Sequence, residues 1–396
     1  MATATPVPAL EQQVRAMRVR SIDIIRGAVM VLMAIDHVRV FSGVPAGGPS
    51  PGVFFTRWVT NFCAPAFIFL AGTSAFLYGY RRTHLSRFLL TRGAWLVLLE
   101  LTYFRLAWTF NLEFKEYELA GVIWVIGWCM ILMAGLVRLS VPTIGAIGVL
   151  IIAGHNVFDT RAANLAQTLT QDAASNLWRI LYVGFWAGPV TLGPDGPHLM
   201  VLYSIVPWIG VMAAGYAFGQ VVADDSARRD RACFTIGLGA IALFLVLRGF
   251  NLYGDPHPWS HTLLSFLNTT KYPASLNFLL MTLGPTIALI PLLDSADGAV
   301  ARALSVFGRV PFFYYALHIP LIHALALVVS FLREGHVDPW LFTNHPAGSP
   351  PAPDGYMWSL GLLYLVWAIA IGILYAACRW FAGIKARRTD WWLFYL

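Results

Sequence analysis

The first long apolar run of the chain, residues 20–41, reads RSIDIIRGAVMVLMAIDHVRVF. It is long enough to cross a bilayer as a helix, which takes about 20 residues, and it carries ionisable side chains that lipid would not solvate. The apolar runs of the chain number about ten and cover about residues 22–42, 58–80, 90–110, 119–138, 141–158, 200–222, 232–250, 273–293, 310–332 and 357–381. This pattern predicts an all-α polytopic integral membrane protein with about ten transmembrane helices.

The composition supports the same fold class. Of the 396 residues, 58% are hydrophobic and 12% are charged, whereas soluble domains carry about 25% charged residues. This deficit of charge excludes an ordinary soluble enzyme, a disordered protein and a nucleic-acid binder. The four cysteines fall singly inside apolar runs, which argues against a disulfide framework or a zinc site; they are Cys63, Cys129, Cys233 and Cys378.

The loops between the apolar runs alternate in charge. One set is basic and holds Arg15, Arg18 and Arg20; Arg81, Arg82, Arg87 and Arg92; Arg138; Arg228, Arg229 and Arg231; Arg302 and Arg309; and Lys385, Arg387 and Arg388. The other set comprises residues 45–52, 111–118, 159–199, 254–261 and 334–356. The positive-inside rule therefore predicts that both termini are cytoplasmic. We expect residues 1–20 to form a short cytoplasmic tail and residues 21–396 to form a single transmembrane domain.

The ionisable residues of the first run fall on one helical stripe. At about 100° per residue, Arg26 and His37 lie about 20° apart on the helix and Asp23 lies within about 60° of both. The stripe predicts a polar path from the cytoplasmic side towards the outer side, although Asp23 and Arg26 could instead anchor the helix at the interface. Asp36 points about 100° away from His37 and is expected to serve a different neighbour.

Two later runs carry further candidates. Glu100 and Arg105 in the third run either contribute to a site or form an ion pair that only holds helices in register. In the ninth run Tyr314 lies one turn below His318, so the two side chains share a face. His323 points about 140° away from His318 and is expected to be a core histidine.

The remaining motifs are weak. His257 and His261 have the spacing of a metal pair, but the intervening residues indicate a turn, so no metal site is expected. Lys271 is a further candidate in an outer loop. The sequence contains no GxSxG, Walker, GxGxxG, HExxH or CxxCH motif, which argues against the chemistries those motifs serve.

The run at residues 20–41 resembles the opening signature of the heparan-α-glucosaminide N-acetyltransferase-like membrane proteins, within the wider transmembrane acyltransferase superfamily. The matching segments continue along the chain as FCAPAFIFLAGTSAF (62–76), TTKYPASLNFLLMTLGP (269–285), FGRVPFFYYALHIPLIH (307–323) and RRTDWWLFYL (387–396). Many relatives carry His where this chain has Asn61, so the resemblance implies that a second histidine role at that position is absent here.

The resemblance implies an acyltransferase in a bacterial cytoplasmic (inner) membrane. Acyl-CoA, most simply acetyl-CoA, would be the donor substrate on the cytoplasmic side, with no tightly bound cofactor. The acceptor would be a hydroxyl or amine of a saccharide or of a lipid-linked, envelope-associated molecule. His37 would act as general base, and His318 is the second catalytic candidate. General-base catalysis is favoured over a mechanism with an acyl-His intermediate. The predicted donor- or substrate-binding residues are Asp23, Arg26, Asp36, Asn61, Glu100, Arg105, Lys271 and Tyr314.

Two other functions fit the residues alone. A proton-coupled secondary transporter also carries Asp, Glu, His and Arg groups in proline-broken helices. A non-catalytic subunit is the third hypothesis. No nucleic-acid partner is expected, and the acyl group, the acceptor, catalytic activity itself and a homo-oligomeric state are left open by the sequence.

Overall fold

The computed structural model describes residues 19–48, 50–79, 84–169, 172–193, 195–388, 390 and 393. Several residues that entered the topology prediction lie outside the described residues, namely Arg15, Arg18, Arg81 and Arg82. Most of the 387–396 segment that carries part of the family resemblance also lies outside them.

Helices dominate the described chain. The α-helices are α1 (Arg20–Phe41), α2 (Pro51–Trp58), α3 (Cys63–Gly79), α4 (Leu85–Leu99), α5 (Arg105–Thr109), α6 (Val122–Leu136), α7 (Val141–Gly154), α8 (Asp159–Ala166), α9 (Ala173–Trp178), α10 (Ile205–Val222), α11 (Ser226–Gly249), α12 (Leu263–Leu267), α13 (Leu276–Asp294), α14 (Ala299–Arg309), α15 (Pro311–Glu334) and α16 (Leu360–Arg387). Two π-helical segments, Glu100–Phe104 and Arg179–Val183, continue α4 and α9. Short 3₁₀ segments are Val59–Phe62, His155–Phe158, Gly184–Ala187, Pro339–Phe342 and His345–Ala347.

The prediction of an all-α polytopic membrane protein is confirmed. Among the described residues, 7 helical segments are long and apolar enough to cross a membrane: Pro51–Gly79, Val141–Phe158, Ile205–Val222, Ser226–Gly249, Leu276–Asp294, Pro311–Glu334 and Leu360–Arg387. Helix α6 is apolar but shorter, and α1 is 22 residues long with several charged side chains. The count of about ten spans therefore stays a prediction.

A small sheet changes the start of two predicted spans. Strand β1 (Glu118–Ala120) pairs in parallel with β3 (His198–Val201), and β2 (Val190–Thr191) pairs with β3 in the antiparallel direction. The apolar runs that were expected to begin at residues 119 and 200 thus start as strands, and their helices begin at Val122 and Ile205. A strand of three or four mostly apolar residues cannot be distinguished from the first turn of an apolar helix by its sequence pattern alone.

Serine caps explain where several helices begin. The hydroxyl accepts a hydrogen bond from the backbone N–H three residues later, which satisfies a donor that the first helical turn leaves unpaired. The capping residues are Ser50 for α2, Ser140 for α7, Ser275 for α13 and Ser359 for α16. Each cap stands directly before its helix, so the local sequence determines where the helix begins.

Helix α1 occupies the centre of the bundle. It packs against α3, α13, α14, α15 and α16. Its approach to α14 is close because Gly27 faces the backbone of Leu304 and Gly308 faces the backbone of Asp23, where a Cβ atom would collide. Small residues permit such close packing between membrane helices. Asp23, at this close approach, is therefore enclosed by protein.

Candidate active site

A cavity opens beside the N-terminal half of α1. It has a volume of about 730 Å³ and lies between α1, α3, α4, α6 and the junction of α14 and α15. Cavities of roughly 300–1,000 Å³ are typical of small-molecule sites. Four basic side chains line it: Arg26, Arg92, Arg309 and Lys385. The cavity thus suits a ligand that has both an apolar portion and anionic groups.

Asp23 and Arg26 both line this cavity. A guanidinium nitrogen of Arg26, Nη2, donates to the Leu70 carbonyl oxygen at 3.1 Å and also to the Ser74 hydroxyl on α3. Asp23 is buried, with 6% of its surface exposed. The contacts of Arg26 hold its side chain at the cavity wall.

His37 meets His318 near the other end of α1. Nδ1 of His37 lies 2.6 Å from Nε2 of His318, and the ring centroids are 4.8 Å apart. The contact joins two histidines that are 281 positions apart in sequence. The edge of Trp108 packs on His37 at a centroid distance of 4.8 Å. The two predicted catalytic histidines therefore lie together.

The hydrogen-bond partners assign the protons of this pair when both rings are neutral. Nδ1 of His318 lies 2.7 Å from the Tyr315 carbonyl oxygen, which can only accept, so this nitrogen carries the proton. Nε2 of His318 is then the acceptor, and Nδ1 of His37 donates to it. Nε2 of His37 is left unprotonated, and it has no hydrogen-bond partner among the described residues. This arrangement presents the lone pair of His37 as a base.

Tyr314, one helical turn before His318, supports the His37–His318 pair. Its hydroxyl donates to the Met30 carbonyl oxygen at 2.9 Å, and its ring stacks on His318 at a centroid distance of 5.3 Å. Met30 and Tyr315 also line the 730 Å³ cavity. Neither histidine lines the cavity, but two of its lining residues contact Tyr314 or His318 through their carbonyl oxygens.

A second polar cluster lies beside His37. The Asp36 carboxylate forms ion pairs with Arg39 at 2.7 Å and with Arg57 at 3.6 Å. Arg57 Nη1 also donates to the Asn61 side-chain oxygen at 3.2 Å. Asp36 thus faces other neighbours than Arg26, in agreement with its angle on the helix.

Lys271 extends this cluster from the loop before α13. Its ammonium lies 5.9 Å and 5.2 Å from the ring centroids of Tyr203 and Tyr272. It also lies close enough to Asp36, His37 and Arg57 for their charges to interact. Burial, followed by repulsion from Arg57, lowers the pKa of Lys271 from its ordinary value. The charges of Lys271, Asp36 and Arg57 therefore interact next to the histidine pair.

The sequence model of the family described as heparan-alpha-glucosaminide N-acetyltransferase, catalytic, matches residues 18–252, which is more than half of the chain. The chain belongs to this family. No curated protein matches it. The family indicates an acyltransferase-type enzyme that resides in a membrane.

The family match divides the site. His37, Arg26, Asp36 and Asn61 fall inside the matched residues 18–252, whereas His318, Tyr314 and Lys271 lie beyond them. The geometry nevertheless brings both groups together around α1. Residues beyond position 252 therefore contribute His318, Tyr314 and Lys271 to the candidate site, next to residues of the matched region.

Glu100 and Arg105 are not paired with each other, so the ion-pair interpretation is wrong. Glu100 is 1% exposed and lies within reach of the backbone N–H groups of Gly121, Ile123 and Trp124 at the start of α6. Carboxylates are stabilised at helix N-termini by the helix dipole and unpaired N–H groups. A π-helical turn spans Glu100–Phe104, directly before Arg105.

Arg105 instead braces the loop between α5 and β1. Its guanidinium donates to the Tyr117 carbonyl oxygen at 3.1 Å and to the Asn111 carbonyl oxygen at 2.6 Å. It also lies 4.7 Å from the ring centroid of Phe114. Burial raises the pKa of the nearby Glu118 to about 7, although the charge of Arg105 opposes this rise. Arg105 therefore orders a loop and does not reach the histidine pair.

The other histidines lie apart from the site. The ring nitrogens of His323 lie 3.1 Å from the Ala107 carbonyl oxygen and 2.9 Å from the Leu341 carbonyl oxygen. His257 contacts the Thr270 hydroxyl at 3.0 Å, and His261 packs on Trp259. Within the described parts of the chain, no group of three or more His, Cys, Asp or Glu side chains could hold a metal ion.

Several site residues escaped the sequence analysis. Arg39 and Arg57 surround Asp36, Tyr272 lies beside Lys271, and Trp108 packs on His37. Arg39 was detectable, because it stands three positions after Asp36 on one helix face. In the sequence the cavity residues Arg92, Arg309 and Lys385 are recognisable only as loop charges, and no sequence signal connects them to Arg26.

Proposed function

We propose that this protein transfers an acyl group, most simply acetyl, from acyl-CoA to a hydroxyl or amine of a saccharide or envelope-associated acceptor. The single observation that carries the proposal is the His37–His318 pair, whose hydrogen bonds leave Nε2 of His37 as a base. The proposal further places the enzyme in a bacterial cytoplasmic membrane, with the donor bound on the cytoplasmic side.

The donor is assigned to the 730 Å³ cavity. Its four basic side chains offer charge-assisted contacts to the phosphates of coenzyme A, and its apolar wall accommodates the uncharged arm. We assign the thioester to the part of the cavity lined by Met30 and Tyr315, whose carbonyl oxygens contact Tyr314 and His318. Arg26, held by Leu70 and Ser74, is the residue we assign to a donor phosphate or to orientation of the thioester end.

The chemistry is a general-base acyl transfer. Nε2 of His37 takes the proton of the acceptor O–H or N–H while that oxygen or nitrogen forms a bond to the thioester carbonyl carbon. The carbon–sulfur bond then breaks, and the proton passes from His37 to the departing thiolate, which leaves as coenzyme A thiol. His318 stabilises the transient imidazolium, because its Nε2 accepts from Nδ1 of His37 throughout.

The test uses the full chain in detergent. We expect acetyl-CoA to raise the melting temperature, and a longer acyl-CoA series to define the preferred acyl group. We expect coenzyme A release when an amino sugar is added as acceptor. Absence of acyl-CoA binding, with the protein folded, would contradict the proposal. The transporter hypothesis predicts proton-coupled flux in vesicles, and no observation on the described residues favours it.

The orientation can be tested separately by cysteine labelling. The native cysteines Cys63, Cys129, Cys233 and Cys378 are all buried, so they provide a low background. Ala46→Cys should react with a membrane-impermeant reagent in intact cells, whereas Arg228→Cys, at a side chain that is 76% exposed, should react only after permeabilisation. Equal labelling of both in intact cells would overturn the proposed topology.

A further inference from the structure

The last helix, α16, carries an open groove on one face near its basic end. The groove has a volume of about 460 Å³ and is separate from the 730 Å³ cavity, with which it shares no lining residue. Its lining residues all belong to α16 and are Tyr375, Ala376, Arg379, Trp380, Gly383 and Arg387. No carboxylate is among them, so the charged groups of the groove are both positive.

A glycine keeps the groove open between the two arginines. Arg379, Gly383 and Arg387 follow one another at intervals of four residues, so they lie along one side of the helix. A Cβ atom at position 383 would meet only a guanidinium nitrogen of Arg387, at 3.6 Å, which is an ordinary contact. Unlike Gly27 on α1 and Gly308 on α14, this glycine is not required by close packing of two helices. The space above Gly383 is therefore available to a ligand.

The two arginines of the groove are free to bind an anion. Both side chains are exposed, and neither forms an ion pair or a hydrogen bond with any residue that the structure describes. The adjacent Arg388, by contrast, pairs with Asp390 at 2.7 Å. Guanidinium groups bind phosphate through charge-assisted hydrogen bonds, often two at a time. The charge and the donors of the groove therefore suit a phosphate.

The depth of the groove along α16 matches the boundary between hydrocarbon and headgroups. At a rise of about 1.5 Å per residue, Arg379 lies about 28 Å beyond Leu360, the first residue of the helix. The hydrocarbon core of a bilayer is about 30 Å thick, so Arg379 falls at its edge and Arg387 in the headgroup layer. Trp380, which is 65% exposed, has the amphipathic ring that is typical of this layer.

An apolar stripe continues from the groove towards the middle of the membrane. Ile369 and Ile373 lie within about 20° of Trp380 on the helix, and they are 45% and 46% exposed. A ligand that contacts both the arginines and this stripe must combine an anionic group with a long apolar portion. A soluble phosphate lacks the apolar portion, whereas a membrane phospholipid has both.

We infer that the groove of α16 binds the phosphate of an anionic phospholipid. The phosphate lies over Gly383 between Arg379 and Arg387, and the acyl chains follow the exposed stripe that includes Ile373. The positive-inside rule assigns this end of the helix, and hence the lipid, to the cytoplasmic leaflet. The site adds a lipid ligand to the protein and does not depend on the proposed acyl transfer.

The first test compares phosphatidylglycerol with phosphatidylcholine of the same acyl chains, titrated against the full chain in a neutral detergent by thermal shift. We expect phosphatidylglycerol to bind about tenfold or more tightly, because each interfacial arginine attracts an anionic lipid. The double variant Arg379→Gln/Arg387→Gln should remove this preference. The matched control is Arg228→Gln/Arg231→Gln, which removes two exposed cations from α11 at the same predicted side, and it should retain the preference. Equal affinity for the two lipids in the unaltered protein overturns the site.

The second test separates a groove from a positively charged surface. Gly383→Leu fills the groove but keeps both arginines, and it should fold because a Cβ atom there meets no backbone. We expect it to lose the preference for phosphatidylglycerol. If it keeps the preference, or if the control double variant loses it, general surface charge explains the binding and the site is overturned. If Gly383→Leu does not fold, the comparison of the two double variants decides the question.

Two soluble probes test the identity of the ligand. Glycerol 3-phosphate carries the phosphate without acyl chains, and we expect it to leave the melting temperature unchanged at concentrations where phosphatidylglycerol raises it. Equal binding of glycerol 3-phosphate would overturn the lipid assignment, because the apolar stripe would then contribute nothing. Coenzyme A should not displace phosphatidylglycerol, and displacement would show that the groove belongs to the donor site. Failure of the protein to bind acyl-CoA would contradict the proposed function and leave the lipid site intact.

Discussion

His318 and His323 lie on the same helix, five residues apart, and both side chains are fully buried. Each ring also has a polar atom within hydrogen-bonding distance of both nitrogens. The partners differ in kind: His318 contacts a backbone carbonyl oxygen and the imidazole of His37, whereas His323 contacts two backbone carbonyl oxygens. Their local chemistry is therefore different although their burial is the same.

The kind of hydrogen-bonding partner distinguishes a buried histidine that can take part in chemistry from one that only supports the fold. A carbonyl oxygen only accepts a hydrogen bond, so it can orient a ring but cannot exchange protons with it. The imidazole of His37 can both orient the ring of His318 and exchange a proton with it. His318 is thereby connected to a base, His37, whose side chain is only partly buried. His323 ties Ala107 on α5 to Leu341 in the loop after α15. It therefore serves as a structural cross-link.

The largest effect should come from His37. His37→Gln keeps a side-chain N–H for His318 but cannot act as a base, so we expect kcat to fall by roughly 100-fold or more. The dissociation constant for acyl-CoA should change little, because His37 does not line the donor cavity. The measurement is coenzyme A release at saturating donor, together with a donor titration. Near-wild-type turnover of His37→Gln would reduce His37 to a positioning role.

The next largest effect separates His318 from His323. His318→Gln should lower kcat by about tenfold to 100-fold, since the partner that fixes the proton on Nδ1 of His37 is lost. His323→Gln should leave kcat within about threefold and instead lower the free energy of unfolding by about 1–3 kcal/mol, because two buried carbonyl contacts are disturbed. Activity and thermal unfolding are measured on both variants. Equal loss of kcat in both would remove the distinction between the two histidines.

The sequence was sufficient for contacts within one helix. Helical arithmetic placed Asp23, Arg26 and His37 on one stripe; Asp23 and Arg26 line one cavity, but His37 does not line it. The arithmetic also turned Asp36 to another neighbour, and one-turn spacing put Tyr314 beside His318. Contacts between distant segments were not predictable, since no local pattern encodes which helix packs on which. The His37–His318 contact, the interaction between the charges of Arg57 and Lys271, and the contact of Glu100 with the start of α6 belong to this class.

A smaller effect is expected from substitution of Arg26, which lines the 730 Å³ cavity. Arg26→Gln keeps a donor for Leu70 and Ser74 but removes the charge, so we expect the dissociation constant for acyl-CoA to rise by about tenfold. The value of kcat at saturating donor should change little. Arg228→Gln removes an exposed cation, 76% exposed, and should leave both constants unchanged. Unaltered affinity in Arg26→Gln would exclude Arg26 from donor binding.

The smallest effect concerns Tyr314, which contacts His318 but whose hydroxyl is directed to α1. Tyr314→Phe removes only the hydrogen bond to the Met30 carbonyl oxygen and keeps the ring that stacks on His318. We expect the free energy of unfolding to fall by about 1 kcal/mol, the typical net contribution of one buried hydrogen bond. The value of kcat should stay within about threefold, because the histidine pair keeps its partners. Tyr364→Phe is the matched control: its hydroxyl bonds Thr56 at a ring that is 37% exposed, so its loss should cost less stability. A large fall in kcat for Tyr314→Phe without loss of stability would show that this hydroxyl takes part in proton transfer, and that the reactive group extends one turn below His318.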